Sequence, residues 1–184
     1  MTTFRATASA APTQVEPLAP ASPAARLPAA PAATRASVIT EIPAADPAAA
    51  HAHFAGRLSF EVDPADVAHA REAGHDDFLL LDTRAKGAYT KSHVPGAVNI
   101  PESGITAAWL AELPADKLLV TYCWGPACNG STKAAMRIAA LGRPVKEMIG
   151  GYEYWVREGW ATEGRRPLDA RTATPKPTDL GLYC

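Results

Sequence analysis

The chain has 184 residues, 47% of them hydrophobic, and a formal net charge of −1, which fits one domain with tails. With no large basic block, neither nucleic acid nor an anionic membrane surface is expected as a partner, and no apolar run approaches the ~20 residues of a membrane helix. Three cysteines, Cys123, Cys128 and Cys184, are too sparse and odd in number for a disulfide framework; with no secretory signal they point to a reducing, cytoplasmic setting.

Alanine and proline make up more than half of the first fifty residues. Such a stretch buries too little apolar surface to repay chain entropy, so residues 1–52 are expected to be a disordered extension. Arg5, Arg26 and Arg35 hint at an organelle transit segment, but Glu16 and the prolines argue against it. His51 and His53 lack further ligands nearby and are read as exposed; no metal and no cofactor are expected. The folded domain is expected over residues 53–165, and residues 166–184, with Pro167, Pro175 and Pro177, as an extended C-terminal tail.

Leu58, Ser59 and Phe60 alternate as a short strand would. Asp63-Pro64 then opens a helix, with Asp63 as N-cap, Pro64 at the first helical position and Gly74 as the stop. The apolar run from Phe78 to Leu81 predicts a strand covered on both faces, which delivers Asp82, Thr83 and Arg84 to its carboxyl end. At that place Asp82 and Arg84 could form an unremarkable solvated ion pair. A short helix near Lys86 to Lys91 leads to His93, read as a hydrogen-bonded structural residue, and to the Pro95-Gly96 turn. A brief strand at Val98 to Ile100 and a helix from Thr106 to Leu113 follow, with Trp109 and Leu110 as core residues.

Leu118 to Tyr122 reads as a buried strand, and Thr132 to Leu141 as a helix with an apolar stripe. Cys123 therefore stands at a strand-to-helix junction, where ligands bind in open α/β sheets. Unpaired loop amides and the positive end of a helix dipole favour thiolate over thiol, so Cys123 is expected to titrate below a free cysteine. The same amides would hold an anion or a sulfur carried on Cys123. A strand at Val145 to Ile149, the Gly150-Gly151 pair and a closing helix from Tyr152 to Trp160, with Tyr154, Trp155 and Val156 packing inward, complete an α/β pattern. Alternation of strands and helices argues a mostly parallel central sheet with helices on both faces.

Four blocks together resemble the rhodanese-like domain family: Leu80-Leu81-Asp82-Thr83-Arg84; Ser92-His93-Val94-Pro95-Gly96-Ala97-Val98-Asn99-Ile100-Pro101; Val120-Thr121-Tyr122-Cys123; and Gly150-Gly151 with Trp155. They follow the family's order and spacing over roughly residues 58–159. The resemblance implies a single rhodanese-like α/β domain and a sulfurtransferase. Cys123 would be the sulfur-carrying residue, and Trp124, Gly125, Pro126, Ala127, Cys128, Asn129, Gly130 and Ser131 would form the substrate-binding loop. Asp82, Arg84 and Lys133 would support it, and Gly150 and Gly151 would let the chain turn beside it.

The loop departs from the family pattern. Many members read Cys-x-x-Gly-x-Arg-Ser, whereas here the loop is about two residues longer and carries no arginine, leaving Lys133 as the nearest cation in sequence. Losing one charge-assisted hydrogen bond, worth ~1.5–3 kcal/mol, would weaken capture of a dianion by one to two decades. Poor thiosulfate turnover is therefore expected, or a different donor such as a small or protein persulfide. A phosphatase of related fold would need Cys-x5-Arg, and Asn129 occupies that position. Cys128 either resolves an oxidised or persulfidated Cys123 through a disulfide or simply fills the loop; the inert reading is preferred.

The expected function is transfer of sulfane sulfur from thiosulfate or a persulfide to a thiol or cyanide acceptor through a Cys123 persulfide. Alternatives are a non-enzymatic binding or regulatory module, with a protein partner, and a Cys123/Cys128 redox switch. No oligomeric state is legible.

Overall fold

The structure, a computed structural model, describes residues 37–167. Most of the expected N-terminal extension and residues 168–184 of the expected tail, including Cys184, lie outside the described residues. Residues 37–44 belong to a unit separate from the rest, in which the Thr40 amide closes a turn on the Ser37 carbonyl at 2.9 Å.

From Ala45 onward a five-stranded parallel sheet organises the chain in the order β1-β5-β4-β2-β3. The strands are β1 Glu61–Val62, β2 Phe78–Asp82, β3 Val98–Asn99, β4 Leu118–Tyr122 and β5 Val145–Met148. The helices are α1 Pro47–Phe60, α2 Pro64–Glu72, α3 Lys86–Lys91, α4 Ala107–Ala111, α5 Gly130–Ala140 and α6 Gly151–Arg157, with a 3-10 turn at Glu102–Gly104. Among the described residues, no helix is long and apolar enough to cross a membrane.

Strand alternation splits the core into two layers. Leu80, Val120 and Tyr122 pack with Val67 and Ala68 of α2 and with Tyr152, Trp155 and Val156 of α6. On the other face Leu81 and Leu119 meet Leu110 of α4 and Ala134 and Ile138 of α5. Trp109 packs against that second layer while remaining partly exposed. The expected doubly covered parallel sheet is what the chain forms.

Three local expectations are corrected. Leu58, Ser59 and Phe60 end helix α1 rather than forming a strand. Asp46 caps that helix through the amides of Ala48 and Ala49, Pro47 starts it, and an alanine-rich run carries it forward; three alternating residues do not outweigh that propensity. The first strand begins only at Glu61, and α1 takes in residues 47–52 of the expected extension, with His51 and His53 exposed on it. Tyr154, expected to pack inward, is 41% exposed and lies beneath the Arg157 guanidinium, 5.6 Å from its ring centre. Helix α2 follows its expected start, with the Asp63 side chain accepting from the Asp66 amide.

Candidate functional site

Strand β4 lies at the middle of the sheet, with β2 on one side and β5 on the other. The chain runs from β2 outward to β3, then returns to place β4 on the opposite flank of β2. That reversal opens a crevice at the carboxyl ends of β2 and β4. Asp82 and Tyr122 are register partners at those ends, and Cys123 follows Tyr122 directly.

Asp82 and Arg84 are no solvated pair. Both are buried, at 0% and 2% exposure. Arg84 Nη2 donates to Asp82 Oδ2 at 2.6 Å and Arg84 Nε to Oδ1 at 3.0 Å. The carboxylate also accepts the Arg84 amide at 2.9 Å and the Tyr122 hydroxyl at 2.6 Å. Arg84 Nη2 also donates to the Ser92 carbonyl, 2.8 Å away. Asn99 Nδ2 clamps the turn by donating to the carbonyls of Asp82 and Arg84. Arg84 lies 4.0 Å from the Tyr152 ring centre and 4.6 Å from that of Trp124, within reach of a cation–π attraction. Burial opposes its charge, but Asp82 outweighs burial and holds the guanidinium above its ordinary range. A charge this deep survives because Asp82, the Ser92 carbonyl and the ring faces of Tyr152 and Trp124 meet it.

The Arg84 stack seats Trp124 at the start of the loop, so Trp124 packs on the domain along one edge of the site. Behind the loop, Gly150 and Gly151 take positive φ of 77° and 57°. The backbone then turns so that the Tyr152 amide reaches the Cys123 carbonyl at 2.9 Å and the Glu153 amide the Trp124 carbonyl at 2.7 Å. A Cβ on Gly151 would stand 2.6 Å from the Cys123 oxygen, which is why only glycine fits there. With the Cys123 and Trp124 carbonyls tied to α6, the Trp124 N–H reaches the Cys123 sulfur.

Cys123 is a free cysteine with 5% exposure. Here the expectation from sequence is corrected. Burial pushes its thiol above the ordinary cysteine range; the Trp124 amide, the Thr83 hydroxyl and Arg84 pull it down, while Asp82 pushes it up. The Trp124 amide favours the charged form, but desolvation of a charged sulfur is the larger effect.

The loop residues sit as follows. Gly130 opens α5 against the sulfur: a Cβ there would stand 2.8 Å from Cys123 Sγ. Cys128 Sγ lies 2.8 Å from Cys123 Sγ, so the two sulfurs face each other. The Cys128 amide is taken by the Gly125 carbonyl at 3.0 Å, and Pro126 has no N–H to offer. Pro126, Ala127 and Asn129 are exposed; the Asn129 side chain makes no capping hydrogen bond. Ser131 is buried and donates to Glu147 Oε1 at 2.7 Å. Lys133 is exposed on α5. Sequence reasoning did not single out Tyr122, Tyr152, Thr83 or Glu153 for the site. Tyr122 was legible as an inward strand position, but the distant contacts that recruit the others leave no local signature.

His93 is structural: Nδ1 pairs with the Tyr89 carbonyl at 2.8 Å and the ring stacks on Tyr89. Its backbone bridges to Glu163. A cavity of about 340 Å³ lined by Val62, Val67, Phe78 and Leu118 lies at the opposite, amino-terminal end of β2 and β4. Among the described residues, no group of three or more His, Cys, Asp or Glu could hold a metal ion.

Comparison with known proteins gives three findings. The family model for the rhodanese-like domain matches residues 63–158. The HTH-type transcriptional regulator Rv0324 of Mycobacterium tuberculosis is 33% identical over 131 residues, which is 71% of this chain but 57% of that protein; the chain thus spans little more than half of that relative. Among solved structures, the BH2092 protein of Bacillus halodurans is 40% identical with a TM-score of 0.65, covering 70% of this chain and 96% of that one. The rhodanese-like domain of the Anabaena Alr3790 protein, 22% identical with a TM-score of 0.52 over 63% of this chain and 85% of that one, shares the fold.

Proposed function

Because this chain belongs to the rhodanese-like domain family, we propose that it is a sulfurtransferase working through a persulfide on Cys123. The observation that carries the reading is the free Cys123 at the end of the central strand, its sulfur met by the Trp124 N–H and bordered by Gly130, which sets no side chain against it.

The Cys123 sulfur attacks the outer sulfur of a donor R–S–SH. The S–S bond of the donor breaks, its inner sulfur leaves as the thiolate and takes up the proton lost by Cys123, and Cys123–S–SH remains. An acceptor thiol then attacks the outer sulfur of that persulfide, leaving as its own persulfide and returning Cys123 to the thiol; cyanide leaves as thiocyanate. Arg84, anchored by Asp82, holds Trp124 and steadies the loop, and loop amides stabilise the transferred sulfur. Lys133, a turn into α5, contributes only long-range positive charge. The donor and the acceptor are small sulfur compounds or protein thiols, and the setting is a reducing cytoplasm.

Mass spectrometry after incubation with a persulfide donor tests this. One added sulfur is expected on Cys123 and none on the corresponding position of Cys123→Ser; equal labelling of both proteins overturns the role.

A second reading has its own support. The relative named a transcriptional regulator and the raised thiol pKa fit a domain that senses or binds rather than turns over. Absence of turnover with every donor, together with slow alkylation of Cys123, favours that module.

A further inference from the structure

A carboxylate leans on the loop that follows Cys123, and that loop carries no cation of its own. Glu153, in the first turn of α6, is tied to the loop through its amide on the Trp124 carbonyl at 2.7 Å, and a Cβ on Gly125 would collide with its carboxylate. Its side chain is only 13% exposed. Arg157 Nη2 pairs with Glu153 Oε1 at 2.5 Å, but Arg157 is 51% exposed and stands on the solvent side. The pair is therefore a dipole with its negative end against the loop.

The carboxylate meets the loop two residues along from the nucleophile. Gly125 is two residues from Cys123, so their Cα atoms are at most ~7.6 Å apart. The carboxylate against Gly125 is thus a charge beside the same short loop that would receive the donor. Arg157 offsets it from its exposed side, but the loop itself has no arginine or lysine, and Arg84 is paired with Asp82. A second carboxylate, Glu147, sits at the far end of the loop, accepting from Ser131 and Thr132.

We infer that Glu153 sets the charge class of the sulfur donor, excluding dianions such as thiosulfate and admitting donors of lower negative charge. The inference rests on the sulfurtransferase reading above and names its specificity residue. The donor class is a thiosulfonate or persulfide whose departing group carries at most one negative charge.

Two anions of similar shape separate the effect of charge from that of fit: thiosulfate, with two charges, and methanethiosulfonate, with one. Attack of Cys123 on the outer sulfur releases sulfite from the first and methanesulfinate from the second, and each leaves the same persulfide. The ratio of kcat/KM for methanethiosulfonate over thiosulfate is the readout. Glu153→Gln keeps the shape and removes the charge; it should lower the ratio about three- to tenfold, chiefly by improving thiosulfate. Arg157→Gln leaves Glu153 unneutralised and should raise the ratio. In the unmodified protein the ratio should shrink as salt rises. A ratio unmoved by both substitutions, with Cys123 still sulfurated by methanethiosulfonate, overturns the role of Glu153 and leaves the sulfurtransferase reading standing. Failure of both donors to place sulfur on Cys123 removes that reading, and the inference falls with it.

Discussion

The Tyr122 hydroxyl donates to Asp82 Oδ2 at 2.6 Å while accepting the Val94 amide at 3.1 Å. One phenol thus joins the ends of β2 and β4 to the turn after His93. It also completes the shell around the Asp82–Arg84 pair, which stands 0% and 2% exposed. The ion pair, the tyrosine and the Ser92 carbonyl form one closed network, and Trp124 rests on it through Arg84.

Removing that hydroxyl should cost stability. Tyr122→Phe leaves the buried Val94 N–H unpaired and takes one donor from the carboxylate, a loss of about 1.5–3 kcal/mol. Urea unfolding followed by tryptophan fluorescence measures it. An unchanged midpoint would mean the network is not holding the site. Burial and Asp82 also keep the Tyr122 phenol well above its ordinary range. The unfolded tyrosine therefore releases its proton first as pH rises. Stability is intact below the ordinary tyrosine pKa and declines above it, and in Tyr122→Phe this share of the alkaline decline should vanish.

Reactivity of the candidate nucleophile should rise late with pH. The Cys123 thiol is pushed above the ordinary cysteine range by burial, so at neutral pH it is mostly protonated. Iodoacetamide labelling of Cys123, followed by peptide mapping, should show a rate that climbs through the alkaline range, with a midpoint above that of the unfolded chain. Thr83→Val removes a hydroxyl that lowers this pKa and should move the midpoint further up. A midpoint below that of the unfolded chain would contradict the burial argument.

What the sequence disclosed follows from what is local. The runs at Phe78 to Leu81 and Leu118 to Tyr122, the Asp63-Pro64 start and the Gly150-Gly151 pair each act within a few residues, and each stands where it was expected. Cys123 was placed at the correct junction for the same reason. Its acidity was misjudged because desolvation depends on how Trp124, Tyr152 and Arg84 close over the loop, and those contacts span up to 68 residues of sequence, from Arg84 to Tyr152. The solvated reading of Asp82 and Arg84 failed likewise: Ser92, Asn99, Tyr122 and Tyr152 bury the pair, and none of them is recruited by a spacing. Leu58 to Phe60 misled because three residues carry too little periodicity to oppose an alanine-rich helix already under way.

The turn beside the loop is equally open to test. Gly151→Ala would place a Cβ 2.6 Å from the Cys123 carbonyl oxygen at a φ of 57°. Backbone, not a flexible side chain, must yield, so both stability and sulfur transfer should fall. A cost of about 1–3 kcal/mol is expected from the strained backbone alone. Thermal unfolding checks the first effect and labelling of Cys123 by a persulfide donor the second. A protein as stable and as active as the original would show that the loop is not braced on α6.

Gly130 tests the space beside the sulfur. Its Cβ position lies 2.8 Å from Cys123 Sγ and 3.5 Å from Cys128 Sγ, and it is the first residue of α5. Its φ is not in the left-handed region, so alanine suits the helix and even favours it by up to about 1 kcal/mol. The new methyl instead fills the space a transferred sulfur would enter. Gly130→Ala should therefore cut persulfide formation on Cys123 at least about tenfold, a barrier increase of roughly 1.4 kcal/mol, and lower the unfolding midpoint only as far as moving the Cys123 side chain away from the methyl requires. The two readouts are taken on the same preparation, by thermal melt and by mass spectrometry of the Cys123 peptide. Full sulfuration of a stable Gly130→Ala protein would place the outgoing sulfur elsewhere and with it the mouth of the site.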